Sequence, residues 1–416
     1  MIEGDAPRHP GGHARTPFRS FWMGGIEGAD HINSHRMPLD MAASCGHRQH
    51  LDEDFRQLAA RGIHTVRESV GWRLSEHDGR FDFGPAVDIA RAARAHGVQV
   101  LWTLMHYGTP ADVSLLDDAF ADRFARFAAQ AAVMLGEWTD GEPVYTPINE
   151  ISFLSWAVSE TRMLHPYGPD AARADAMAGS TVADGFAVKR RLVEGVLKGV
   201  AAIREVDPRA RFLHVEPVVH VVPPADRPEL QALAEQVSGY QWQAWDMISG
   251  RMEPGLGGSP DALDLIGVNH YHNGQWEVVT EKRLHWHLGD PRRRPLSHLL
   301  KDTWQRYRRP LMLSETSHVG EGRAAWLEEV ATEVQHARLE GVPVHGICLY
   351  PIFDRTDWEH ADHWHHSGLW DHCPIALQAG QWPRRLDPSY AAALAGWQDR
   401  LPGSPRPTNR TGTWTP

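Results

Sequence analysis

One feature narrows the folds open to this chain more than any other: short β-rich runs recur along it, each followed by a segment with helical periodicity. The runs fall at 20–26, 63–70, 98–106, 144–149, 211–216, 263–271, 311–315 and 346–352. Eight such βα units predict an α/β fold of one kind, a closed parallel (β/α)8 barrel, also called a TIM barrel. An open doubly wound sheet is disfavoured, because Gly24, Gly25 and Gly28 after the first run do not form the G-x-G-x-x-G dinucleotide turn. Three junctions support the alternation by placing glycine where a helix ends and a strand begins: Gly62, Gly97 and Gly341. A length of 416 residues suits a single barrel with long loops. The expected organisation is an N-terminal extension at 1–17, the barrel at 18–400 and a tail at 401–416, rich in Pro, Gly, Ser and Thr.

Connections after the strands are longer than those before them, notably 27–50, 151–185, 272–300 and 353–388, and they hold most of the tryptophan and histidine. Loops on that side build the active face of a parallel barrel. The formal charge of −11 argues against a nucleic-acid partner, and Arg292 to Arg294 read as a solvated loop. Residues 1–15 are polar, without the apolar stretch of a secretory signal, and the chain has no 18-residue apolar run, so neither export nor a membrane partner is expected. Three scattered cysteines, Cys45, Cys348 and Cys373, fit a reducing compartment, and a cytoplasmic location is expected.

Strand four ends in Tyr145-Thr146-Pro147-Ile148-Asn149-Glu150 and strand seven in Leu313-Ser314-Glu315-Thr316, so two glutamates meet at the active mouth from opposite walls. Acetal cleavage needs a proton for the departing oxygen, and a second carboxylate that attacks or activates water. Two glutamates suffice, with no cofactor and no metal. Either one alone would as readily cap a helix; the pair, with Asn149 before the first, is specific.

On these residues the chain resembles the clan of barrel glycosidases with catalytic glutamates on strands four and seven. It is most similar to family 1, the β-glucosidase family, over roughly 18–375. The resemblance implies Glu150 as general acid/base and Glu315 as nucleophile, about 5 Å apart, acting with retention on a β-linked glucoside-like or galactoside-like substrate. Val66-Arg67-Glu68-Ser69-Val70-Gly71-Trp72 is similar to the family's strand-two motif and puts Arg67 beside Glu315, where its charge is expected to lower that pKa while the acid pair raises Glu150. Leu104-Met105-His106-Tyr107 resembles the strand-three motif, which implies His106 on a sugar hydroxyl; Tyr107 stands where the family has tryptophan. Ile266-Gly267-Val268-Asn269-His270-Tyr271 resembles the strand-six motif, with Tyr271 orienting the nucleophile and Asn269 among the substrate-binding residues. Asn149 is implied at the sugar 2-hydroxyl.

The eighth strand and its loop, from Leu349 through Tyr350 and Asp354 to Asp357-Trp358, match the family's segment in part, with Tyr350 as a platform, Trp358 on the sugar's apolar face and Asp357 in place of a glutamate. The first strand lacks the family's sugar-binding glutamine, for which Glu27 or His31 substitutes. The run His360-Ala361-Asp362-His363-Trp364-His365-His366 is read as a polar loop lining the aglycone side in preference to a metal site. Alternatives are transfer to an acceptor other than water, a noncatalytic carbohydrate-binding barrel, and a metal-assisted hydrolase using that loop.

Overall fold

The barrel strands form where the apolar runs are buried on both sides. The computed structural model describes residues 16–167 and 184–401; residues 1–15 of the extension expected at 1–17, part of the loop after strand four, and residues 402–416 of the expected tail lie outside the described residues. Eight strands make the barrel: β1 (Trp22–Gly25), β2 (Thr65–Ser69), β3 (Gln99–Met105), β4 (Val144–Ile148), β5 (Arg211–Pro217), β6 (Leu265–Asn269), β7 (Leu311–Thr316) and β8 (Val344–Leu349). They pair in sequence order, all parallel, and β8 returns to β1 to close the barrel. Along β3, Leu101 joins an inner cluster with Met23, Val144, Leu213, Leu265, Met312 and Cys348, while Val100, Trp102 and Leu104 pack outward. Burial on both faces explains why such strands read as continuous apolar runs rather than alternating ones.

A helix follows each strand: α1 (Leu51–Ala60), α2 (Gly84–Ala95), α3 (Phe120–Gly136), α4 (Gly185–Val206), α5 (Gln243–Ile248), α6 (Leu296–Tyr307), α7 (Arg323–Leu339) and α8 (Pro388–Arg400). Gly62, Gly97 and Gly341, just beyond α1, α2 and α7, have φ of +72°, +67° and +84°, the left-handed turn from helix to strand that a Cβ would strain. No helix among the described residues is long and apolar enough to cross a membrane.

Most barrel strands are a residue or two shorter at their ends than the runs expected, and two boundaries differ for an identifiable reason. The eighth strand, expected at 346–352, runs Val344–Leu349: Val344 already pairs with Leu311, and Pro351 brings no N–H to the ladder. Leu401, expected to open a loose tail, is buried, and its carbonyl accepts from Trp22 Nε1 at 3.3 Å.

Candidate active site

The open mouth of the barrel lies at the C-terminal strand ends, and two of them turn a glutamate inward by different devices. Glu150 follows β4 with φ 43° and ψ 64°; this left-handed residue carries the chain from strand into the helix Ile151–Glu160. Its N–H donates to Val215 O of β5 at 3.1 Å, and its carbonyl accepts from Leu154 N at 2.9 Å, so the backbone is pinned on both sides. Glu216, at the end of β5, accepts from Ser152 N at 3.0 and 3.3 Å and holds the start of that helix. On β7, Met312 points into the barrel and Ser314 Oγ donates inward to Asn269 Oδ1 at 2.7 Å, so strict alternation would turn Glu315 out. The pairing with β6 shifts register between Leu313 and Glu315, and this irregularity brings the carboxylate into the mouth.

Glu315 is held by a cation and a phenol. Arg67, on β2 and 1% exposed, donates from Nη1 to Glu315 Oε1 at 2.8 Å, and from the same nitrogen to Ser314 O at 2.8 Å. Its Nη2 donates to Asn149 Oδ1 at 3.0 Å. Tyr271 OH donates to Glu315 Oε2 at 2.7 Å. Both carboxylate oxygens are thereby fixed, which sets the direction in which a lone pair can attack.

Glu150 has a different environment. Tyr107 OH donates to its Oε2 at 2.7 Å, and Asn269 Nδ2 to its Oε1 at 2.9 Å. Burial, and after it the Glu315 carboxylate, push Glu150 up to about 8, against the two hydrogen bonds that favour its charged form. Burial also holds His106 neutral, helped by the charge of Arg67. The two glutamates thus have unlike surroundings: burial and a neighbouring acid favour the protonated form of Glu150, while Glu315 is bonded to a guanidinium and a phenol.

A cavity of about 750 Å³ opens above these groups. Glu27, His106, Glu150, Asn269, Tyr271, Glu315, Tyr350 and Trp358 line it. Arg67 lies beneath, on Glu315. Three residues expected at the sugar are elsewhere. His31 is buried behind the wall, its ring 4.8 Å from that of Trp358 and its charge suppressed by burial to a pKa of about 3. Asn149 turns to Arg67 and donates from Nδ2 to Tyr107 OH at 3.1 Å, which orients the wall from behind. Asp357 accepts from the N–H groups of Glu359 and His360 and lies 2.8 Å from His365 Nε2, which leaves His365 as the lining residue. Tyr350 keeps its place because residue 25 is glycine: a Cβ there would lie 2.1 Å from the ring, and the hydroxyl accepts from Gly28 N at 3.2 Å.

Several contributors were not singled out from sequence. Tyr107, noted only as a replacement, contacts Glu150 directly, with its backbone at φ 84°. Arg355 Nε lies 3.1 Å from Glu27 Oε2, and both line the cavity. Its position directly after Asp354, early in the long loop that follows β8, was the available signal. Phe153, Trp156, Met163, Trp276, His272 and Val319 form an apolar and aromatic outer wall. All but Val319, which follows β7, come from the long loops in which tryptophan was expected to concentrate.

No protein-family model matches the sequence, and no curated protein does. Solved structures match it throughout. A β-glycosidase is 18% identical, with a TM-score of 0.69 over 94% of this chain and 99% of its own. A family 1 β-glucosidase from Thermotoga maritima is 15% identical, with a TM-score of 0.67 over 94% and 99%. The β-glucosidase from Thermotoga maritima in complex with glucoimidazole gives 0.68 at 15% identity over 93% and 99%. At this identity the likeness establishes the glycosidase-type (β/α)8 barrel as the fold.

Proposed function

We propose that this chain is a retaining β-glycosidase acting by double displacement, with Glu150 as general acid/base and Glu315 as nucleophile. The observation that carries the reading is the pairing of two glutamates in one cavity with opposite supports: Glu315 on a guanidinium and a phenol, Glu150 raised to about 8. In the first step a Glu315 oxygen forms a bond to the anomeric carbon as the glycosidic C–O bond breaks. The Glu150 proton passes to the leaving oxygen. Tyr107 and Asn269 then stabilise the carboxylate left behind. In the second step water attacks the anomeric carbon, Glu150 takes its proton, and the bond to Glu315 breaks with net retention.

The glycone is glucoside-like or galactoside-like. His106, Tyr350, Trp358 and the Glu27–Arg355 pair offer hydroxyl partners and an aromatic face at the inner end, and the similar β-glucosidase structures, one in complex with glucoimidazole, support a glucose-like ring. Phe153, Trp156 and Trp276 suit a small or aromatic aglycone. The unit concerned is the barrel at 18–400, and its three unpaired cysteines suit the cytoplasm. The test is a panel of aryl β- and α-glycosides with wild type, Glu150→Ala and Glu315→Ala, each mutant with and without azide. Turnover confined to β-glycosides, lost in both mutants and restored by azide, is expected. Mutants as active as wild type would overturn the assignment.

A further inference from the structure

Beside the cavity, where β8 gives way to its long loop, lies a second group of acids that the hydrolytic mechanism does not use. Asp354 is fully buried; its Oδ1 accepts from Arg355 N at 2.9 Å and Ser367 N at 3.1 Å, while its Oδ2 is buried without a hydrogen-bond partner. That oxygen faces the Nδ1 of His366 at 3.7 Å, and the same nitrogen lies 3.6 Å from Asp371 Oδ1. One ligand atom from each of the three residues falls within 4.8 Å of the others.

We propose that Asp354, His366 and Asp371 bind a divalent transition cation, with Zn²⁺ as the fitting class, which fastens the two ends of the loop that lines the cavity. The separations are too long for hydrogen bonds. They suit an ion, because ligand atoms about 2.1 Å from Zn²⁺ at tetrahedral angles lie roughly 3.4 Å apart. Charge points the same way. Arg323 donates to Asp371 Oδ1 at 2.7 Å and to Asp387 Oδ2 at 2.8 Å, so one guanidinium is shared by two carboxylates, and Asp354 beside Asp371 adds a third acid that the guanidinium does not contact. A carboxylate oxygen has lone pairs for both a guanidinium N–H and a metal, so the Arg323 contact leaves Asp371 competent. Two carboxylates and an imidazole are a donor set for Zn²⁺ or Mn²⁺ more than for Mg²⁺. The His366 side chain is 55% exposed, which gives the ion an entry path and room for a water as fourth ligand.

The consequence for the cavity follows from chain order. Arg355 comes next after Asp354 and Ser367 next after His366, and both line the cavity. An ion here would hold Arg355, Trp358, His365 and Ser367 in place without touching the reacting atoms. The inference stands apart from the glycosidase reading, since its test measures binding. The full chain is stripped with a chelator and titrated with Zn²⁺ by calorimetry, with Mn²⁺ and Mg²⁺ in parallel, and Tm is recorded with and without each ion. The expected result is one Zn²⁺ per chain and a Tm raised by a few degrees at saturation. His366→Ala, at an exposed side chain, should weaken binding by about a hundredfold without unfolding the protein. Asp354→Asn, which keeps an oxygen for the two backbone N–H groups, should do the same. No uptake of Zn²⁺, or uptake unchanged in both variants, would overturn the site.

Discussion

Two clusters of buried charge near the C-terminal strand ends use almost the same residue types and come to opposite ends. In the first, His47 bridges Asp54 Oδ2 at 2.7 Å and Glu68 Oε1 at 2.8 Å, and Arg384 makes a two-nitrogen contact with Asp54 at 2.7 Å each. Trp382 Nε1 donates to Asp54 Oδ1 at 2.8 Å. Two cations meet two carboxylates. Burial alone would lower His47, but Glu68 and Asp54 carry it up to about 9, and Asp54 stays below the ordinary carboxylate range. In the second cluster, Arg67 contacts Glu315 alone; Glu150, in the same cavity, is held by the neutral Tyr107 and Asn269 with no cation in contact among the described residues, and it rises to about 8. Balance makes a buried network structural; imbalance facing open space leaves a proton to give away.

The contrast can be broken or sharpened experimentally. Removing charge from the second cluster should cost rate and little stability: Glu315→Gln is expected to lower kcat by more than about 10⁴-fold, and Glu150→Gln by about 10² to 10⁴-fold on poor leaving groups. Steady-state kinetics beside thermal melts would check both. In the first cluster the reverse holds. Asp54→Asn strands His47 and Arg384 and should cost about 3–5 kcal/mol in denaturant unfolding, with kcat of the remaining folded protein unchanged. Tyr107→Phe is a smaller perturbation, about tenfold in kcat/KM. Because the Tyr107 hydrogen bond favours the charged form of Glu150, its loss should move the alkaline limb of the pH profile above its wild-type position near 8.

The two clusters also differ in how each couples to stability. His47 binds its proton more tightly folded than unfolded, so its contribution is complete below about pH 6.5 and is lost as pH rises to about 9. Glu150 likewise keeps a proton that the unfolded chain releases near 4.5, so its part of the stability declines between 4.5 and about 8. Buried histidines held neutral, His31 and His106 among them, make stability rise with pH up to about 6.5, so the decline is read above that range: unfolding at pH 7, 8 and 9 should show it, and Asp54→Asn should flatten its upper half. A stability that rises from pH 7 to 9 would contradict both assignments.

How far the sequence could be read follows from the same distinction between local and long-range cause. The eight strands were legible because a parallel strand buried on both faces is an apolar run, whatever its partners. Glu150 and Glu315 were legible because a strand end aims its last residues at the barrel mouth. The partners of those residues were less so. That Asn149 is taken up by Arg67 and Tyr107 depends on groups brought together only by closure of the barrel, and that Asp357 turns to His365 depends on the fold of an irregular loop, which has no periodicity to read. Glu27 and Arg355 come from opposite ends of the chain and meet where β1 and β8 are neighbours. The Asp354–His366–Asp371 group escaped for a related reason: only one of its members lies in the histidine-rich run that drew attention to metal.

If Glu315 is the nucleophile proposed above, it forms a covalent bond to the sugar. The most direct test is to incubate the protein with a 2-deoxy-2-fluoro aryl β-glycoside of the sugar preferred in the substrate panel, then measure intact mass and map the labelled peptide. The expected result is one glycosyl group per chain, carried on Glu315, and none on Glu315→Gln. A label on another residue, or no label together with inverted product from the unfluorinated substrate, would contradict it.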